Sequence, residues 1–345
     1  MSLNLLTKLL ALLLLPLLFS AVSCNKPTEP NENTPPGRRD YVWSVDTLYS
    51  PNNILREIWG ATPTDIWLAG PGGITNYDGL WHFDGTQWKP YEKQILGLSP
   101  NCIFGLSQNN IWLGGNDGKI WHFNGTSWNQ SFRYQTGSSY VDVVSISGKT
   151  ENSIYAVGNS AITHGFILHY NGSNWVEKYS STEESQFVSL LQGDNGTFLA
   201  ELKQSVNGND SLKIYEFKTD KLIELFSKPV NEITFASINK IGKEVYFLLG
   251  RELNRYENGK FIKVMTFTEP KLGYHVYGRN EKDFFVRMVD GLAHFNGENV
   301  EYLIRFENDF TSISTKPLIF EKEVFFPVSD YINGYNLVFH GKLKD

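Results

Sequence analysis

The chain has 345 residues, 41% of them hydrophobic and 14% aromatic, with 31 basic residues against 37 acidic ones and a formal net charge of −6. The basic residues are scattered among the acids, which argues against nucleic acid as a partner, because neutralising many phosphates takes clustered Lys and Arg. Only two cysteines are present, Cys24 and Cys102, so a thiolate zinc site is excluded, and no cofactor is expected.

Residues 1–23 have the layout of an export signal: a weakly basic start at Lys8, a leucine-rich stretch from Leu9 to Leu18, and small residues just before Cys24. The apolar run falls short of the roughly 20 residues that span a bilayer, and Pro16 interrupts it. Ala21, Val22, Ser23 and Cys24 resemble the lipobox of bacterial lipoproteins. That resemblance implies cleavage before Cys24, a lipid on that cysteine, and export to a membrane, at the periplasmic or cell-surface side of an outer membrane. An ordinary secretory cut near Ser23 is the alternative, but it would leave an odd exposed thiol on an exported protein. With Cys24 acylated no internal disulfide can form, and Cys102, in an apolar setting, reads as a buried structural thiol. Residues 24–39 follow as the lipidated cysteine and a disordered tether, with prolines at 27, 30, 35 and 36 among Asn, Glu and Thr. Such a segment cannot bury enough apolar surface to offset the entropy of ordering.

Residues 40–345 repeat. Leu80-Trp81-His82-Phe83-Asp84-Gly85-Thr86-Gln87-Trp88 returns forty positions later as Ile120-Trp121-His122-Phe123-Asn124-Gly125-Thr126-Ser127-Trp128. A third copy runs from Ile167 to Trp175 through Asn171 and Gly172, and weaker ones follow at Lys213–Phe217, Leu253–Gly259, Leu292–Gly297 and Asn336–Gly341. Each copy reads as a hairpin, its Asp-Gly or Asn-Gly supplying the positive φ angles of a tight primed turn. Two more strands precede each hairpin, at Leu55–Trp59 and Asp65–Ala69 in the first unit and at Cys102–Leu106 and Asn110–Gly114 in the second. Four short strands in about 40 to 45 residues is the period of a β-propeller blade. The fold is therefore read as all-β, a propeller of seven four-stranded blades in preference to six or eight.

The seventh hairpin leaves only Lys342 to Asp345 after its turn, too few for an outer strand. Asp40 to Asp46 supplies one, with Trp43 standing where Trp88 stands in the first unit. The two ends of the chain then share a blade and no open edge remains in the ring. A sandwich or solenoid built from the same strands does not explain this register.

The hairpin turns resemble the Asp-box, the Ser-x-Asp-x-Gly-x-x-Trp turn of sialidases and other bacterial propellers, and the whole resembles bacterial repeat lipoproteins. Asp84, Gly85 and Trp88 match the core of that motif; Asn124, Gly125 and Trp128, and Asn171, Gly172 and Trp175, match with Asn for Asp. In those families the turn is structural and lies away from the active site. The Phe-Arg-Ile-Pro motif that places the first arginine of a sialidase is absent, as are nucleophile-elbow, phosphate-loop, His-Glu-x-x-His and calcium-loop motifs.

His82, His122, His169 and His294 recur two residues before the turn Asp or Asn. A shared metal is opposed by geometry, because equivalent points on the third strands of neighbouring blades lie well over 10 Å apart while zinc needs nitrogens about 2 Å away; pairing of each imidazole with backbone or turn groups of its own blade is expected instead. The recurring tryptophans, from Trp67 to Trp175, read as packing between sheets. Irregular aromatics are better pointers to a binding surface: Tyr77, Tyr134, Tyr140, Tyr274, Tyr331 and Tyr335. Tyr77, Tyr331 and Tyr335 fall in long, irregular loops on the face opposite the hairpin turns, near the junction of blades one and seven, where a ligand is expected. The functional expectation is a membrane-anchored, non-catalytic binding or scaffold propeller for a protein or glycan, with a carbohydrate-active enzyme, a glycosidase or lyase, as the alternative. An enzyme predicts carboxylates and arginines converging in the central pocket; a binding module predicts a mixed or apolar rim above small residues.

Overall fold

The computed structural model describes residues 35–345 except 52, 56, 72–78, 92–98, 139, 162–163, 204–209, 231–234, 307–311, 315 and 331–332. The signal segment, Cys24, Tyr77 and Tyr331 lie outside the described residues. From Pro36 onward the chain forms one compact unit. Among the described residues all regular structure is strand, arranged as seven antiparallel blades in chain order, the first beginning at Glu57–Thr62 and the sixth ending at Val300–Arg305. The seventh is completed by the N-terminal strand, Tyr41–Tyr49, which pairs along its whole length with Tyr335–Leu343. Blades five and six also touch through their inner strands, parallel at Lys240–Tyr277 and Ile241–Gly278.

Each blade is a sheet with a neighbour on both faces, so its second strand is buried on both sides and reads as a continuous apolar run, as in Ile66-Trp67-Leu68-Ala69 and Ile111-Trp112-Leu113. The core is divided accordingly. Among the described residues seven apolar clusters each span one blade–blade interface, and the last joins Phe325 and Val338 of blade seven to Ile58, Ile66 and Leu68 of blade one. The repeated tryptophans serve these interfaces: Trp67 of blade one meets Trp128 of blade two edge-on at 5.6 Å, and Trp112 meets Trp175 of blade three at 5.5 Å. Cys102 is buried in one of them, beside the carbonyls of Gly114 and Val143.

The turn of blade five has the expected primed form, with Asn258 and Gly259 at φ +50° and +78° between the paired Glu257 and Lys260, and Thr219-Asp220 of blade four has it too, at +51° and +57°. The turns of blades one to three differ from it. Four residues, Asp84 to Gln87, separate the paired Phe83 and Trp88, and only the glycine takes positive φ: +91° at Gly85, +90° at Gly125, +94° at Gly172. The acid or amide acts through its side chain. Asp84 Oδ1 accepts from the backbone N–H of Thr86 and of Gln87, both at 3.0 Å, and Asn124 and Asn171 do the same in their blades. A side-chain acceptor that serves two consecutive N–H groups lets Asn replace Asp with both turn bonds kept, while Asp84 adds the Thr86 hydroxyl and the Lys89 ammonium as donors.

The N-terminal contacts begin before the expected boundary at Asp40. Gly37 N–H donates to the carbonyls of Lys282 and Asn296, and Arg39 donates to the carbonyl of His294 and to the side chains of Asn299 and Glu301, all on blade six. Composition could not reveal this, because one guanidinium meeting several acceptors is a property of the surface it meets.

Candidate functional site

Inner strands begin at the level where second strands end and third strands begin: Val141 lies opposite Ser160, which lies opposite His164. The upper end of every inner strand therefore points to the face that carries the blade-to-blade links, opposite the Asp84-type turns. Near that end the regular ladder breaks in four blades. One residue is extruded between Pro100 and Cys102, one between Val143 and Ser145, and one between Phe187 and Ser189. In blade six, four steps from Leu272 to Val276 face two from Met288 to Val286, so two residues are extra. A bulge sacrifices ladder hydrogen bonds and re-aims a side chain. Here the extruded Asn101, Val144 and Val188, together with Tyr274 and His275, all line one central cavity of about 750 Å³.

The rim of this cavity is mixed and partly apolar: Tyr140, Val188 and Tyr274 are 45%, 46% and 46% exposed. Its walls are mostly small or uncharged, with Ser145, Ser189, Ser237, Ala200, Ala236 and Gln186 among them. The charged lining groups are engaged. Lys316 lies 3.2 Å from Glu57, joining blade seven to blade one. Burial opposes the charge on that ammonium, but Glu57 and the Tyr277 hydroxyl outweigh it, so its pKa is raised. Tyr140 donates its hydroxyl to Asp142, and this bond, with some burial, pushes the phenol up to about 12. His275 is pushed down to about 3 by burial, with Arg287 and Lys316 adding to the effect, and its Nδ1 is buried without a hydrogen-bond partner.

The free edges of the inner strands are stitched to their neighbours by side chains. Asn159 of blade three donates to the carbonyl of Phe187 at 2.9 Å and accepts from its N–H at 2.8 Å. Ser145 accepts from Leu190 N–H, Ser147 from Gln192, Asn239 from Val276 and Asn336 from Leu55.

The histidines find their partners within their own blades, but those partners are side chains. His82 Nε2 lies 2.8 Å from Asp65, His122 3.1 Å from Asn110, His294 2.7 Å from Asp283 and His340 2.6 Å from Glu323. Each partner is the first residue of the second strand, a recurrence visible in the sequence once the blades are aligned. Each ring also packs on the aromatic directly across the ladder, as His122 does on Trp112 at 4.1 Å and His340 on Phe325 at 3.8 Å. His169 packs on Tyr155 at 4.4 Å, in a blade whose second strand opens with Ser153. No group of three metal-ligating side chains occurs among the described residues.

Of the irregular aromatics singled out from the sequence, Tyr140 and Tyr274 line the cavity. Tyr335 stands on the same face but farther out, at the start of the third strand of blade seven and 5.5 Å from Tyr49. Tyr134 donates to Glu177 between blades two and three. The Glu57–Lys316 pair and His275 carried no signal in the sequence, because nothing in a single chain shows which inner-strand residues turn toward the axis.

The sequence matches no family model, and no curated protein is similar to it. Solved structures are similar in fold. A catalytically inactive histidine-to-alanine variant of virginiamycin B lyase from Staphylococcus aureus, with quinupristin, superposes with a TM-score of 0.65 at 12% identity, over 88% of this chain and 100% of that one. YCF48 bound to D1 peptide gives 0.56 at 14%, over 90% and 100%. The Pan2 WD40 domain of Neurospora crassa gives 0.59 at 10%, over 90% and 98%. At these identities the likeness establishes the β-propeller fold alone.

Proposed function

We propose that the protein is a non-catalytic binding or scaffold module, held to a membrane by a lipid on Cys24, which takes a protein or glycan ligand at the cavity on its loop face. The convergence of extruded residues from four inner strands on one cavity carries this reading. Bulges also recur between the third and fourth strands; what sets the upper inner-strand bulges apart is that their extruded side chains share one space. The competing reading of a glycosidase asks for a pair of carboxylates free to act, and the lining carboxylates Glu57 and Asp142 are each engaged, by Lys316 and by Tyr140. A lyase would have to draw its base from His275, whose Nδ1 carries no hydrogen-bond partner, with no unengaged acid beside it among the described lining residues. Virginiamycin B lyase with quinupristin and YCF48 with D1 peptide indicate that such scaffolds host both enzymes and binders. The lipobox-like Ala21 to Cys24 supports the anchor, the turns at Asp84, Asn124 and Asn171 support an Asp-box-like structural rim, and Tyr77, Tyr331 and Tyr335 would extend the contact toward blades one and seven.

The test of the site uses a ligand first captured by wild-type protein in a pull-down or on a glycan array. Val188→Trp, which fills the mouth of the cavity, should abolish capture while the melting curve stays unchanged. Undiminished capture by the folded variant would refute the site. For the anchor, Cys24→Ser should move the protein out of the membrane fraction; retention after a high-salt wash would refute lipid attachment.

A further inference from the structure

We infer that the ligand of this cavity is a short, uncharged oligosaccharide, a deepening that rests on the cavity being the binding site. Its mouth carries two half-exposed tyrosine rings, Tyr140 on blade three and Tyr274 on blade six, across the channel from one another in a ring of seven. Both rings are held before any ligand arrives. The hydroxyl of Tyr140 is tied to Asp142; Tyr274 has Phe235 edge-on at 5.0 Å and the Arg287 guanidinium 5.7 Å from its ring centre. A rigid exposed ring loses little entropy when a flat apolar surface stacks on it, and the C–H face of a pyranose is such a surface. In the same lining Asn101, Gln186 and Ser189 offer both donors and acceptors, the complement that sugar hydroxyls require.

Charge narrows the class. Among the described residues lining the cavity, the lysine is already paired with Glu57, the aspartate already accepts from Tyr140, and the histidine is held neutral. A further cation at the mouth, the Arg287 guanidinium, is already applied to the Tyr274 ring, so an anionic ligand would have to compete for it, and a desolvated charge without a partner is costly. The volume, about 750 Å³, falls within the roughly 300–1,000 Å³ of small-ligand sites, room for the end of a glycan rather than a protein surface. A peptide would most readily bind by adding a strand to a free edge. The inner-strand edges are instead occupied by Asn159, Ser145, Ser147, Asn239 and Asn336 of neighbouring blades.

The experiment presents the purified full chain with an array of neutral glucose-, galactose-, mannose- and N-acetylglucosamine-based oligomers of two to four units. Sialylated and uronic-acid glycans and a peptide array run alongside. At least one neutral series should bind. Tyr140→Ala and Tyr274→Ala should each weaken that binding roughly tenfold, with melting temperatures unchanged, and Tyr274→Trp should restore it. Binding by acidic glycans alone, by no glycan, or by neutral glycans indifferently to both tyrosines overturns the inference. Peptides captured in place of glycans and blocked by Val188→Trp would overturn the glycan assignment while leaving the cavity as the site; any ligand indifferent to Val188→Trp would overturn both.

Discussion

Tyr41, at the start of the N-terminal strand, lies opposite Leu343, near the other end of the chain, in an antiparallel ladder nine residues long. The pairing buries Tyr41 and Leu48 and sets the Trp43 ring against Gly341. A chain beginning at Asp40 should lose the clasp of Gly37 and Arg39 on blade six, a cost of about 1 to 2 kcal/mol, and the exposed bonds of Arg38 to Asp40 and the Lys344 carbonyl. A chain beginning at Thr47 should lose several kcal/mol of burial and hydrogen bonding and melt on the order of 10 °C lower. Equal melting curves for the two would show that the N-terminal strand does not close the ring.

Between pH 7 and 5, His275 should make the protein less stable as the solution is acidified. Burial holds its imidazole down to about 3, below the approximately 6.5 of an unfolded chain. In the interval the unfolded chain binds a proton that the folded chain refuses. This contribution is therefore whole above about pH 6.5 and is lost as the pH falls toward 3, at no more than about 1.4 kcal/mol per pH unit. His275 is only partly buried, and solvent screening makes the slope shallower. His275→Gln should flatten the fall in melting temperature over this range; parallel curves for wild type and variant would disprove the shift.

Asn159→Ala should destabilise by about 2 to 3 kcal/mol, because it strips partners from both the N–H and the carbonyl of buried Phe187. The denaturant midpoint should fall while the slope of the transition stays constant. A loss below about 0.5 kcal/mol would mean that the stitch between blades three and four contributes little.

Gly125→Ala should cost roughly 1 to 2 kcal/mol, since its φ is +90° and a new Cβ would stand 2.3 Å from Asn109 Oδ1. Gly137, with nothing within 4 Å of the same atom, provides the control: Gly137→Ala should leave the denaturation midpoint almost unchanged. Similar midpoints for the two variants would show that the repeated turn tolerates a side chain.

From the sequence alone, the blade count, the first six hairpins and the closing strand were legible, because each rests on local chemistry that recurs. The seventh turn expected at Gly341 is instead the interior of the third strand of blade seven, Tyr335–Leu343. A turn at Asp84-Gly85 and another at Asn124-Gly125 announce the same hairpin, and alternation around Trp43 announces a strand wherever it pairs. The partners of the histidines were half legible. The imidazoles stood out, whereas Asp65, Asn110, Asp283 and Glu323 emerge only when the blades are aligned. Tyr140 and Tyr274 stood out as irregular aromatics without any sign that they share a cavity.

Only the tertiary structure decided where the site lies. Glu57 meets Lys316 from blades at opposite ends of the chain because the ring closes, a contact no local pattern encodes. The bulges that aim Asn101, Val144, Val188, Tyr274 and His275 at the axis arise from a mismatch in length between paired strands. That mismatch belongs to the pair rather than to either strand, so it exists only once the ladder has formed.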